Sequence, residues 1–455
     1  MSRLRTVVDR VDTALARLSG RRRVLVDVRT PMNFAILAPM VERLQRDPRI
    51  ELLCSSDRPA DIAAAAAAAG VRAATHERSA MTWRRVDLVL SSDPWDPIQL
   101  RRCLRRANFF HGVAGKYDLD SPASLPIGFD IYDRLAFVNG DRMRRYTIAG
   151  IVRPDAAVLV GYPKIDALVN GRFDAAAIRA RLQLEIRRPT AIYAPTWSPA
   201  SSLHLAGEAI VSSLVDAGFN VIVKLHDRSL DLSDERFSGG IDWRARFARL
   251  HRPARTAFVE SADSSPLVAA SDVMVTDHSS IGYEFCLLDR PLIVFDTPDL
   301  ARVARINPEK IAQLRSAARV VTRAAEIGPA ALDELDHLDR RADARRAIGS
   351  EMFHEPGTAT ERALDMIYGL LDIRWGSAPH PGSVVRGGPG ATLRSLAGAP
   401  SAAAVSASPL GSVARADVNV PMQSFAGAPG AADGQPDASA GRHAPATPNL
   451  GSAGH

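Results

Sequence analysis

Three cysteines in 455 residues, Cys54, Cys103 and Cys286, are too few and too scattered for a disulfide framework, and no pair has metal-ligand spacing. They point to a reducing compartment. No apolar run approaches the ~18 residues of a membrane-spanning helix. The opening stretch, MSRLRTVVDRVDTALARLSGRRR, scatters charge where a secretory signal needs an apolar centre. These absences place the chain in the cytosol or on the cytosolic face of a membrane. Large net charge is also lacking: Lys+Arg 57 against Asp+Glu 51 gives +6, too mild to argue for nucleic acid and equally suited to an anionic substrate or a membrane surface.

Several chemistries are missing as motifs. There is no HExxH and no paired-cysteine motif for zinc. No GxSxG elbow marks a hydrolase, and no GxGxxG follows the first apolar strand as in dinucleotide oxidoreductases. A Walker A loop ending at Lys116 would need Gly at 110 and Ser or Thr at 117, which are Phe110 and Tyr117. No cofactor is expected.

What is present is an ordinary globular composition, 46% apolar and 24% charged, long enough for two or three domains. The clearest boundary lies near Trp375. Residues 376–455 contain 13 Gly, 10 Pro, 19 Ala and 10 Ser and only seven charges, so they lack the bulky side chains that offset ordering entropy. They read as a disordered tail. Residues 1–22 read as an amphipathic helix, with Leu4, Val7, Val8, Val11, Leu15 and Leu18 on one face. Packing on the body and lying on an anionic membrane are both consistent with that face.

Between these ends the pattern is strand, loop, helix, repeated. Apolar β-rich runs occur at 23–28, 50–55, 86–91, 108–112 and 134–139, then at 190–195, 220–226, 256–260, 272–277 and 291–296. Helical stretches such as Met32 to Gln45 and the alanine run closed by Gly70 separate them. Continuous apolar strands alternating with helices mean buried parallel sheets. The expected architecture is α/β, with two Rossmann-like domains (23–175 and 176–375) whose sheets face across a cleft. The ligand then sits past the carboxyl ends of the strands.

Four strand ends carry chemistry. In FFHGVAGKYD, His111 follows an apolar strand, and Gly112 and Gly115 open a loop toward Lys116. This suits a general base beside a phosphate, or a histidine bonded into its loop. VIVKLHDR puts His226, Asp227 and Arg228 together; His and Arg neutralise phosphate, though a loop Arg is commonly solvated. In SDVMVTDHSSIGYEF the strand ends at Thr276 and Asp277, and Ser279 and Ser280 open a helix as a phosphate site or an ordinary N-cap. Glu284, one turn on, is placed to reach ribose hydroxyls or to lie on the surface. In IYAPTWS, Thr196 and Trp197 turn the chain, Trp197 as core or as ligand wall. Asp118 and Asp120 form a pair able to hold Mg²⁺ but read better as a solvated turn, and the acids of DELDHLD (333–339) as a solvated helix face.

Taken in order, these stretches resemble the CDP-glycerol glycerophosphotransferases, the teichoic acid polymerases and primases of the GT-B fold. HGVAGK (111–116) resembles the family's His-Gly-Thr-Pro-Leu-Lys, and GYPKIDAL (161–168) its Gly-x-Pro-Arg-x-Asp-x-Leu. AIYAPTWS (191–198) resembles Tyr-Ala-Pro-Thr-Phe/Trp-Arg, VKLHDR (223–228) resembles Lys-x-His-Pro, and TDHSSIGYEFCLLDRPLIVFD (276–296) resembles Thr-Asp-Tyr-Ser-Ser with its acidic helix. Val113, Asp227, His278 and Ser198 depart from the pattern. The resemblance implies a second domain holding a CDP-activated polyol phosphate and a first domain presenting the hydroxyl of a glycan or lipid-linked acceptor. His111 is then the base, with Gly112 and Lys116 on the acceptor side. His226, Ser279 and Ser280 hold the pyrophosphate with Arg228 assisting, and Thr196, Thr276, Asp277 and Glu284 complete the donor side. A nucleotide-sugar glycosyltransferase of the same architecture, and a non-catalytic relative, are the competing readings.

Overall fold

The computed structural model describes residues 20–94, 96–113, 129–304 and 306–374. The amphipathic helix (but for its last residues), the loop holding Gly115, Lys116, Asp118 and Asp120, and the Gly/Pro/Ala/Ser-rich tail fall outside the described residues.

Two wholly parallel sheets organise the chain. The first contains β1 (Arg22–Asp27), β2 (Ile50–Ser56), β3 (Ala74–Glu77), β4 (Arg85–Ser91), β5 (Arg102–Phe109), β6 (Arg134–Phe137) and β7 (Ala157–Leu159), in the order β3-β2-β1-β4-β5-β6-β7. The second contains β8 (Thr190–Tyr193), β9 (Asn220–Val223), β10 (Thr256–Phe258), β11 (Val273–Thr276), β12 (Leu292–Phe295) and β13 (Arg319–Val321), in the order β10-β9-β8-β11-β12-β13. The inner strands are buried on both faces, as in RRVLVD and NVIV, because helices cover each side. The sequence reading found ten strands; β3, β7 and β13 were missed. They are edge strands of three or four residues, and ATHE of β3 carries no apolar run to read.

Each sheet reverses its order once, between β1 and β4 and between β8 and β11. A parallel sheet leaves a crevice at the carboxyl ends beside such a switch point. The loops after β4 and β5 and those after β8, β9 and β11 are therefore the site-forming segments. This two-sheet α/β arrangement is the GT-B architecture expected from the sequence.

Local signals set the helices. The helix Pro31–Leu44 starts at Thr30, whose hydroxyl accepts from the Asn33 amide, with Pro31 in the first turn. The acids of DELDHLD are only partly solvated: Glu334 is 1% exposed and accepts a 2.6 Å hydrogen bond from Arg341. Arg340 and Arg341 follow it closely and fold back over it, a contact that a helical wheel does not show.

The last helix, Ala359–Leu370, follows the second sheet in sequence but packs on elements of the first half. It returns to the helix Pro31–Leu44, where Arg43 pairs with Glu361 and the Tyr368 hydroxyl donates to Asp47 at 2.8 Å. GYPKIDAL makes this crossing. Gly161 has φ +90 and an added Cβ would lie 2.5 Å from the His354 carbonyl, so only glycine fits. Asp166 accepts from the amides of Gly357, Ala359 and Thr360 at 3.0, 3.2 and 2.6 Å, which caps the returning helix. No helix among the described residues is long and apolar enough to cross a membrane.

Candidate active site

His111 stands just past β5, half-buried, with Nδ1 2.6 Å from the Ser92 carbonyl oxygen beyond β4. A carbonyl only accepts, so Nδ1 carries the hydrogen and the Nε2 lone pair is left to take a proton. Burial is the largest influence on this imidazole and pushes its pKa below the ordinary value. The cations Arg142 and Arg228 push the same way, against the Ser92 carbonyl and Asp93. Arg228 belongs to the second half, so the two halves face each other at this ring. Gly112 follows with φ +78, a left-handed turn suited to glycine. Val113, a departure from the family pattern, is fully buried in the core.

His226, after β9, is hydrogen-bonded in the opposite sense. Its Nδ1 accepts the Arg228 amide at 3.1 Å. In the neutral ring the hydrogen then sits on Nε2, which makes this side chain a donor. The Arg228 guanidinium lies 4.7 Å from the ring centroids of both Trp197 and Phe237, and those rings meet edge-on at 4.9 Å. Trp197 is thus half-buried and braces the cation. Asp227, where the family carries Pro, is protonated more readily than usual: burial raises its pKa, Glu260 adds to that, and Lys224 and Arg244 oppose it.

The strand end Thr276–Asp277 is a support. Asp277 is fully buried; one carboxylate oxygen accepts the Thr196 amide at 2.9 Å, and the other accepts the Ser202 amide and hydroxyl at 3.1 and 3.0 Å. The Thr276 hydroxyl donates to the Ala194 carbonyl at 2.6 Å. Both side chains are engaged in holding the Thr196–Ser202 loop beside β11. The Thr196 hydroxyl is buried and makes no hydrogen bond among the described residues. Ser279 and Ser280 are half-buried before the helix Ile281–Cys286. Ser280 takes the N-cap position, yet its hydroxyl makes no capping bond. The ordinary N-cap explanation therefore does not account for it.

Glu284 is neither on the surface nor open to a ligand at both oxygens. It is 4% exposed and accepts a 2.7 Å hydrogen bond from Lys164, which also donates to the Ser264 hydroxyl at 3.1 Å. Burial works against the charge on Lys164, but Glu284, Tyr162 and Asp263 outweigh it and raise its pKa. The chain has only four lysines, and two of them, Lys164 and Lys224, are near enough to interact electrostatically; burial lowers the pKa of Lys224, and Lys164 adds to that. Two further ion pairs join the halves, Arg58–Asp231 at 3.6 Å and Arg145–Glu309 at 3.1 Å. Sequence reasoning missed Lys164, Arg142 and Phe237. The rarity of lysine in an Arg-rich chain was the available signal for Lys164; nothing local marked the other two.

Comparison with known proteins follows this geometry. The model of the family CDP-Glycerol:Poly(glycerophosphate) glycerophosphotransferase matches residues 143–368. A teichoic acid glycerol-phosphate transferase of Staphylococcus aureus is 26% identical over 156 residues, 32% of this chain and 36% of the relative. A teichoic acid glycerol-phosphate primase of Bacillus spizizenii is 22% identical over 151 residues, 32% of this chain and 35% of the relative. The chain thus aligns with about a third of the length of these curated relatives. Among solved structures, the wall teichoic acid polymerase TagF superposes with a TM-score of 0.57 at 16% identity, covering 81% of this chain and 93% of the polymerase. The S. aureus MnaA–UDP structure superposes with a TM-score of 0.50 at 14% identity, covering 78% and 98%. These likenesses support the fold.

Proposed function

We propose, for a chain whose residues 143–368 belong to the CDP-glycerol:poly(glycerophosphate) glycerophosphotransferase family, that it transfers glycerol phosphate, or a related polyol phosphate, from a CDP-activated donor to a hydroxyl of a glycan or lipid-linked acceptor in teichoic acid-type polymer synthesis. The observation that carries this reading is the opposite hydrogen bonding of two imidazoles. Ser92 makes His111 an Nε2 acceptor, and the Arg228 amide makes His226 an Nε2 donor. One ring is prepared to take a proton, the other to meet a phosphate oxygen.

In the proposed step the acceptor oxygen attacks the β-phosphorus. The new P–O bond forms as the bond to CMP breaks, and the hydroxyl proton passes to His111 Nε2. Displacement of this kind depends on positioning and on meeting the charge of the phosphoryl oxygens. His226 Nε2–H, the Ser279 and Ser280 hydroxyls and the braced Arg228 meet that charge, and the buried Thr196 hydroxyl is one more donor beside it. Asp277 and Thr276 act by holding the Thr196 loop, and Glu284 by its bond to Lys164. Gly112 stands beside His111 on the acceptor side, Lys116 is assigned to that side by its place in the HGVAGK motif alone, and the acceptor's chemistry is consistent with peripheral contact at a membrane surface.

Incubation of the full chain with CDP-glycerol or with UDP-sugars, following the nucleotide released, tests the reading. CMP release that depends on an acceptor hydroxyl is expected. UDP release would place the chain with the glycosyltransferases, and no release from any donor would make it a non-catalytic relative.

A further inference from the structure

Arg142 is a buried cation that the step above leaves without a task. It lies in the helix Gly140–Ile148 and is 7% exposed. Among the described residues its partners are neutral groups: one terminal nitrogen donates to the Gly112 carbonyl at 3.2 Å and the other to the Tyr146 hydroxyl at 3.2 Å. The guanidinium carbon is 4.5 Å from the Phe110 ring centroid and 5.2 Å from that of Tyr146. Nε is buried and has no hydrogen-bond partner among the described residues. Burying a cation on neutral partners costs stability, so its place needs a reason.

The reason lies in what it touches. Ser92, Arg142 and Asn139 grip three consecutive residues: His111 through its ring, Gly112 through its carbonyl, and Val113 through its carbonyl at 3.2 Å. The same cation is close enough to bear on the His111 ring. We propose that Arg142 is a positioning residue for His111, fixing the Gly112 turn and setting a permanent positive charge behind the imidazole so that the ring meets an acceptor hydroxyl as an unprotonated base. This inference rests on His111 being the base.

Among the described residues, the charged groups that bear on His111 come from three directions. Asp93, after β4, favours the imidazolium; Arg142, from its helix, and Arg228, across the cleft, disfavour it. Burial acts with the arginines. Removing Arg142 therefore moves the ring toward easier protonation, a change that a merely structural arginine would not produce.

The test is an NMR pH titration of the His111 ring in the full chain, with single-turnover transfer from CDP-glycerol, for wild type, Arg142→Met and Arg142→Lys. In Arg142→Met the titration midpoint and the acid limb of the rate should both rise toward the ordinary histidine value. The rate at neutral pH should fall at least ~10-fold, with CDP-glycerol affinity within a few-fold of wild type. Arg142→Lys keeps a charge but loses the planar fork, so its midpoint should stay near wild type while its rate falls. An unchanged midpoint in a folded Arg142→Met protein overturns the proposal. So does a wild-type rate in Arg142→Lys, which decides the matter alone if the Met variant does not fold. The titration needs no substrate, so absence of transfer in the wild-type chain would count against the function and leave this coupling separately measurable.

Discussion

Lys164 of the first half and Glu284 of the second form a 2.7 Å ion pair with both side chains buried. Removing one partner leaves the other charge desolvated and uncompensated. Lys164→Met or Glu284→Leu should each cost about 3–5 kcal/mol, and the double replacement less than either alone. Urea unfolding of the three variants checks this. Independent, additive losses would show that the pair does not couple the halves.

Asp277 serves the Thr196 loop with both oxygens. Asp277→Asn keeps the shape but offers one acceptor where the Thr196 and Ser202 amides need two. The expected cost is about 1–3 kcal/mol for the amide left unsatisfied, with weaker CDP-glycerol binding because the loop loosens. Wild-type stability in Asp277→Asn would return the carboxylate to direct ligand contact.

Asp166 caps the helix that returns to the first half. Asp166→Ala should cost about 0.5–2 kcal/mol and speed hydrogen exchange in 357–370 while the strands of the second sheet keep their protection. Unaltered exchange in that helix would mean that its packing on Pro31–Leu44 holds it without the cap.

How much of this was legible beforehand differs by level. The inner strands announced themselves because burial on both faces demands continuous apolar runs such as RVLV and VIV, and the strand ends then located His111, His226 and Ser279–Ser280. Edge strands β3, β7 and β13 did not, being short and partly solvated. Roles that depend on distant partners were hidden as well. Glu284 looks like a surface residue until Lys164, 120 positions away in sequence, is seen beside it. Asp166 looks like one more acid in a motif until residues 357–360 arrive above it. Which nitrogen of each histidine carries the hydrogen depends on the backbone partners Ser92 and Arg228, which no motif spells out.

Ser279→Ala with Ser280→Ala should weaken CDP-glycerol binding by removing two hydroxyl donors, while thermal stability stays near wild type because Ser280 makes no capping bond. Isothermal titration and thermal melting together decide it. Unchanged affinity would remove both serines from the donor site.

The pH dependence carries a sign. A His111 pKa held below its ordinary value of 6.5 means that the neutral base persists at and above that pH. Transfer should be flat there and fall only as pH drops below it. Across the same window the unfolded chain binds the proton first, so folding stability should also rise with pH between the lowered folded value and 6.5. A rate that already declines on going from pH ~8 to ~7 would contradict an imidazole base with a depressed pKa.

The division of labour between the two histidines is the centre of the account, and single-turnover transfer in His111→Ala at saturating CDP-glycerol tests it most directly. The rate should fall by at least ~100-fold, the size of a lost general base, with donor affinity within a few-fold of wild type, whereas His226→Ala should lose donor affinity and rate together. A normal transfer rate in His111→Ala would contradict the assignment of the base.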